Sequence, residues 1–235
     1  MAISLRTLLL TGWMTLVCAQ AADISGTVVV ERKLTRRNVT PSSPAYSRGV
    51  AVDLGSSSGM DPLSFERTHV AVYIEGKGPA GTPIKAEIEQ KDREFAPDLV
   101  VAPVGSTVSF PNMDAIFHNV FSLSKPKAFD LGNYPKGQTR TVTFPVPGVV
   151  FVYCHLHTNM AATIVITPNQ WSTKPDPAGN FKLTDVSPGK YTVVAWHKTA
   201  GTFKQTVTIT GDQAPPIRFL IPFTDDQAGP SVAKR

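Results

Sequence analysis

Val149-Val150-Phe151-Val152-Tyr153-Cys154-His155-Leu156-His157-Thr158-Asn159-Met160 runs from a β-branched and aromatic segment directly into a cluster of metal-binding side chains. Val149 to Tyr153 has the composition of a strand, and the polar, punctuated residues after it read as a tight loop. A strand that ends at Cys154 and turns sharply can aim Cys154, His157 and Met160 at one point. A further ligand must then come from elsewhere in the chain.

His118 is that candidate, 36 residues upstream in Phe117-His118-Asn119-Val120. Two imidazoles, one thiolate and one thioether suit copper. The sulfur ligands favour the cuprous ion, the imidazoles tolerate both valences, and a trigonal site with a weak axial sulfur rearranges little when an electron moves. His118, Cys154, His157 and Met160 are therefore the expected metal ligands, for one copper ion per chain. Asn119 is the expected brace, hydrogen-bonding across to the Cys154 loop. Met113, five residues before His118, ranks below Met160 as the axial sulfur.

Around this centre the chain reads as all-β, since short runs rich in Val, Ile, Thr, Phe and Tyr recur between Gly and Pro punctuation. Expected strands are Ile24 to Val30, Val70 to Glu75, Lys85 to Glu89, Leu99 to Ala102, Thr107 to Pro111, His118 to Leu123, Thr139 to Phe144 and Val149 to Tyr153. Thr163 to Thr167, Asn180 to Thr184, Tyr191 to Trp196, Thr202 to Ile209 and Ile217 to Ile221 complete the set. Residues 31 to 69 are dominated by Ser, Pro, Gly and Arg and read as a long loop, with Val50 to Leu54 its one strand candidate. Residues 225 to 235 read as a polar, frayed tail.

The first 21 residues have the form of a cleavable leader: Arg6, the apolar run Leu8 to Cys18, then Ala19-Gln20-Ala21. The apolar run is too short to span a bilayer, so no membrane insertion is expected after cleavage. Export to the periplasm follows from the leader. Its removal also takes Cys18, which leaves Cys154 alone in an oxidising compartment, where a lone thiol persists only if buried or held by a metal. The net charge of +5, or +4 without Arg6, includes a basic cluster at Arg32, Lys33, Arg36 and Arg37. With export and no nucleic-acid motif, this reads as a solvated surface rather than a nucleic-acid site.

At the ligand residues the chain resembles the cupredoxins of the pseudoazurin and, above all, the amicyanin type, and its Cys-x-x-His-x-x-Met spacing matches the amicyanin loop. Phe95-Ala96-Pro97, Val104 to Phe110, Asn112, His118-Asn119-Val120 and Pro147-Gly148 fit the same pattern. The resemblance implies a Greek-key β-sandwich with copper at one end, held by His118, Cys154, His157 and Met160. This chain has Leu156 where the family usually has Pro, and Thr158 where amicyanin has Pro. Those departures bear most on the axial role of Met160.

The flanking residues resemble a carboxypeptidase regulatory-like or transthyretin-like β-sandwich: Asp176 to Leu183, then Val186-Ser187-Pro188-Gly189-Lys190-Tyr191-Thr192-Val193. Its usual opening strands are present as Ile24-Ser25-Gly26-Thr27-Val28 and Val70 to Gly76, but on the far side of the copper segment. The expected organisation is a cupredoxin domain over 81–169 inserted into a small sandwich made of 22–80 and 170–224, with the alternative of two domains in series. Contacts of Ile24 to Val30 or Val70 to Glu75 with Tyr191 to Trp196 distinguish the two. The combination resembles bacterial methylamine-utilisation-type copper proteins.

The leading expectation is a periplasmic blue-copper protein, not an enzyme, that passes single electrons between redox partners of the dehydrogenase or cytochrome c type. His157 would be the electron portal, in an apolar docking patch that includes Ile116 and Phe117. A copper storage or delivery protein is one alternative. The other is a copper enzyme with a second metal reached through His155, as Cys-His dipeptides do in multicopper oxidases. That chemistry wants paired histidines, and only His69 and His197 remain. His197, after Trp196, reads as packing with a polar tip.

Overall fold

The computed structural model describes residues 21–34, 61, 63–211 and 214–221. The leader over 1–21 (except its last residue), Val50 to Leu54, Arg36, Arg37 and the tail from Asp225 lie outside the described residues. Within them the protein is almost wholly β, with seventeen strands and one short helix.

Period-two alternation forms the first stack. In β17 (Ile217–Ile221), Ile217, Phe219 and Ile221 are buried while Arg218 and Leu220 face out. β1 (Ala22–Val30) lies between β17, which runs parallel to it, and β14 (Asn180–Val186), which runs antiparallel. Gly26 belongs here because a Cβ would sit 2.4 Å from the Ile217 carbonyl oxygen and 2.4 Å from the Phe181 ring. Opposite lies a four-stranded sheet ordered β13 (Ser172–Thr173), β2 (Val70–Ile74), β15 (Gly189–His197) and β16 (Gly201–Ile209). Ile24, Val28, Val72, Ile74, Val193, Val207 and Phe219 belong to the core between the two sheets.

The second stack contains a five-stranded sheet ordered β6 (Leu99–Pro103), β12 (Ala161–Thr167), β11 (Gly148–Tyr153), β8 (His118–Ser122) and β9 (Phe129–Tyr134). A three-stranded sheet of β10 (Thr139–Thr143), β7 (Thr107–Pro111) and β3 (Lys85–Glu87) accompanies it, with a hairpin of β4 (Glu89–Lys91) and β5 (Glu94–Ala96). Phe110, Val120, Tyr134, Phe144, Val150, Val152 and Ile164 are in its core. Tyr134 is fully buried; its hydroxyl donates to the Phe110 carbonyl at 2.8 Å and accepts from Gln90 Nε2 at 2.6 Å. Burial pushes this phenol up to about 12.

The stacks meet at a third cluster of Ala71, Leu99, Val165 and Trp196, with Tyr73 and Phe151 packed against it. The Trp196 and Phe151 rings are 6.2 Å apart. This joint explains why β12 is buried at every position from Ala162 to Thr167: one face meets its own core and the other meets the neighbouring stack. His69 reaches across it, its Nε2 2.6 Å from Asp98 Oδ1. Burial opposes ionisation of Asp98, but the hydrogen bond and charge of His69 hold its carboxyl below the ordinary range.

β2 pairs with β15, Val72 opposite Ala195 and Ile74 opposite Val193. The chain leaves β2 for the second stack and returns beside it, since Ser172 of β13 lies opposite Tyr73. Asn169 Nδ2 donates to the carbonyls of Ile74 at 3.0 Å and Gly76 at 3.1 Å, which ties the outgoing and returning strands together.

Several expectations need correction. Strands β5, β9 and β13 are additional, and Lys85 to Glu89 is two strands of different sheets. β9 carries Asp130, Gly132 and Asn133, which read as a turn in isolation, but its pairing with β8 overrides that composition. The segment expected as loop up to residue 69 contains a short helix, α1 (Ser64–Thr68). Asp61 starts it by accepting the Leu63 N–H at 2.9 Å, and Glu66 anchors it at 0% exposure.

Candidate metal centre

Cys154 continues the inward face of β11 after Val150 and Val152, so the strand's own pleat delivers its sulfur to the core. It is a free thiol at 5% exposure. His118 opens β8 at 0% exposure, and β8 is placed next to β11 by the Tyr153–Phe121 pair. The loop after Cys154 closes tightly, the Met160 N–H donating to the His157 carbonyl at 3.1 Å. That turn lifts His157 to the rim, half-buried, and returns Met160 to the core at 1% exposure.

The donor atoms converge. His118 Nδ1 and His157 Nδ1 are 3.2 Å apart, and His157 Nδ1 is 3.8 Å from Cys154 Sγ. Ligand atoms of the three residues all lie within 4.8 Å of one another. Metal bonds of about 2.0–2.3 Å to nitrogen and sulfur fit inside a triangle of that size. The donor set, two imidazole nitrogens and a thiol sulfur in a buried pocket, therefore fits a soft or borderline ion such as copper. Met160 shares a core cluster with Cys154, whereas Met113 stands at the surface at 47% exposure.

Hydrogen bonds hold these ligands in place. The Asn119 backbone N–H donates to Cys154 Sγ at 3.4 Å, a contact that stabilises negative charge on sulfur. His118 Nε2 is 2.8 Å from Asp114 Oδ2. Burial opposes ionisation of Asp114, yet the Arg93 N–H, the His118 ring and the Asp92 N–H hold its carboxyl below the ordinary range. Burial, then the neighbouring His118 and Arg93, hold the His157 ring below the ordinary histidine value. The shift favours the neutral ring, the form that ligates.

Asn119 makes the expected bond to the Cys154 loop through its backbone N–H, and its side chain does not take part. Asn119 Nδ2 donates instead to Asp130 Oδ1 at 2.7 Å, because β9 brings a carboxylate closer than the Cys154 loop. Asp114 and Asp130 were both missed by the sequence reading. A carboxylate four residues before a candidate histidine ligand was the available signal for Asp114. His155 points away from the other three, its ring stacked on Phe121 at 3.6 Å and its Nε2 3.5 Å from Asp130. His197 is buried in the first stack, its Nε2 3.2 Å from Glu66 Oε2, so its polar end meets a carboxylate rather than solvent. Met113, Ile116 and Phe117, just before His118 in the chain, and Leu156, just before His157, are exposed apolar residues.

No family model and no curated protein matches the chain. Solved structures similar to it include three that align over part of its length. A Cu-containing nitrite reductase from Thermus scotoductus has 23% identity and a TM-score of 0.34, over 40% of this chain and 25% of that one. The chain thus spans about a quarter of that protein's length. A purple cupredoxin from Nitrosopumilus maritimus has 23% identity and a TM-score of 0.32, over 35% of this chain and 99% of that one. A reduced variant of amicyanin has 20% identity and a TM-score of 0.33, over 40% of this chain and 97% of that one.

Proposed function

We propose that the protein is a periplasmic blue-copper electron carrier, with His118, Cys154, His157 and Met160 holding one copper ion. What supports this is the convergence of two imidazole nitrogens and one buried, unpaired sulfur within 4.8 Å at the end of a β-stack. Bound copper would supply one-electron chemistry at that point. The protein's own residues do the rest. The Asn119 N–H donates to the sulfur and helps to fix its position. Burial of His118, Cys154 and Met160 limits access of water, and their anchorage at strand ends and in a closed turn would limit their rearrangement when a bound copper changed valence.

His157, the most accessible of the four, is the portal for the electron. The exposed Ile116, Phe117 and Leu156 give it an apolar surroundings on which a dehydrogenase or cytochrome c type partner docks. No bond-making step is assigned, so the protein is read as a carrier rather than an enzyme. The copper-binding stack is read as an insertion, over 81–169, in a sandwich made of 22–80 and 170–224. Supporting this are the pairing of β2 with β15 and the Asn169 hydrogen bonds that join the two crossings. Among the described residues no helix is long and apolar enough to cross a membrane.

Titration of the metal-free protein with cupric ion, followed by absorption and spin resonance, tests the proposal. The wild type should develop an intense thiolate-to-copper band near ~600 nm at one equivalent, and C154S should lack it. Binding without that band in the wild type would sink the blue-copper reading. Reversible redox cycling without metal loss distinguishes a carrier from a delivery protein.

A further inference from the structure

The hairpin of β4 and β5 turns through Asp92 and Arg93, whose φ angles are 56° and 59°. Two successive left-handed residues make the turn that usually selects Asn-Gly, because side chains crowd the backbone there. A strained, non-glycine turn that persists points to a function for the conformation it fixes. Here that conformation aims two backbone N–H groups at one carboxylate: Asp92 N–H donates to Asp114 Oδ1 at 2.8 Å and Arg93 N–H to Asp114 Oδ2 at 2.9 Å. The Asp114 N–H donates in turn to Asn112 Oδ1 at 2.9 Å. The Met113 N–H is tied to the Gln90 carbonyl at 2.9 Å. The same turn also touches the other ligand loop, where Asn159 Nδ2 donates to the Arg93 carbonyl at 3.3 Å.

We propose that the Asp92–Arg93 turn is a clasp on both ligand loops, and that Asp114, held in its grip, is a positioning residue that fixes the tautomer and orientation of His118 before any metal arrives. The proposal rests on the copper-site reading for its purpose, though not for its geometry. Asp114 Oδ2 only accepts, so the proton of a neutral His118 is drawn to Nε2, and Nδ1 presents a bare lone pair toward His157 and Cys154. The carboxylate cannot swing away from the ring, because each of its oxygens is already tied to the turn. A loop histidine without such a brace would divide between tautomers and rotamers, and each binding event would have to order it.

Nitrogen-resolved NMR of the histidine rings in the metal-free protein tests this without copper. In the wild type, His118 should be the Nε2–H tautomer with a slowly exchanging ring proton. In D114A the ring should populate both tautomers and its proton should exchange about tenfold faster, the loss expected of one charge-assisted hydrogen bond. D114N keeps the shape but must turn its amide nitrogen toward either the Asp92 N–H or the Arg93 N–H, donor against donor, so it should release one arm of the clasp and speed exchange of the ring proton while the chain still folds. It decides the question if D114A does not fold. Cupric affinity should fall by about 10- to 100-fold in either variant. If His118 keeps its Nε2–H tautomer and slow exchange in a folded D114A or D114N, the clasp proposal is overturned. Failure of the wild type to form the thiolate band would instead overturn the copper reading, and would leave the tautomer result standing.

Discussion

Replacing Glu66 by alanine removes the carboxylate that ties α1 to the first stack, and the structure fixes how much should be lost. Glu66 is at 0% exposure; its Oε1 accepts the Leu34 N–H at 3.0 Å and its Oε2 is 3.2 Å from His197 Nε2. His197 Nδ1 already accepts the N–H groups of Thr199 and Ala200, each at 3.2 Å, so the ring proton sits on Nε2 and points at Glu66. Alanine therefore strands the buried His197 ring N–H and the partly buried Leu34 N–H, at about 1–3 kcal/mol each. A central value of about 4 kcal/mol lowers the Tm by about 8–16 °C for a chain of this size. Burial, more than the opposing pull of Glu66, lowers the His197 pKa, so the folded ring is neutral where an unfolded one would take a proton. Its contribution to stability is complete above the ordinary histidine value of about 6.5 and declines as the pH falls toward the lowered one. Without the Glu66 charge the ring is harder still to protonate, so in E66A the decline should extend to lower pH. Scanning calorimetry of the metal-free protein across this range measures both effects. A Tm within about 2 °C of the wild type would show that the buried pair does not anchor the helix.

Three further outcomes follow from the same geometry. Trp196→Ala empties the centre of the joint between the stacks; it should cost about 3–5 kcal/mol and split one calorimetric transition into two, so a single unshifted transition would refute the coupling. Met160→Ala should cost about 2–5 kcal/mol and shift the cupric spectrum. Met113→Ala, at an exposed site, should stay within about 0.5 kcal/mol, and a spectral change there instead would reverse the axial assignment. Because burial, His118 and Arg93 all lower the His157 pKa, the ring stays neutral and able to ligate below the ordinary histidine range. Ring-resolved NMR of the metal-free protein should therefore find the His157 midpoint below about pH 6.5; a midpoint at or above that pH would contradict the lowering.

The approach of Cys154 and His157 to one another was legible in the sequence because it depends on local geometry. Alternation along Val150, Val152 and Cys154 sends the sulfur inward, and the short spacing to His157 and Met160 leaves the loop few ways to close. Most strands were legible for the same reason, since period-two burial needs only neighbouring residues. β9 was not, because Asp130, Gly132 and Asn133 favour a turn until β8 supplies hydrogen-bond partners. α1 was not either, because its anchor, His197, lies 131 residues away. Local periodicity thus determined the β class and which side chains could meet at Cys154. Only the tertiary structure decided that Asp114 joins the Asn119 backbone N–H in bracing the centre, and that one face of β12 is covered by the neighbouring stack. Those outcomes turn on which donor and acceptor come within 3 Å across the fold, a distance that spacing along the chain does not set.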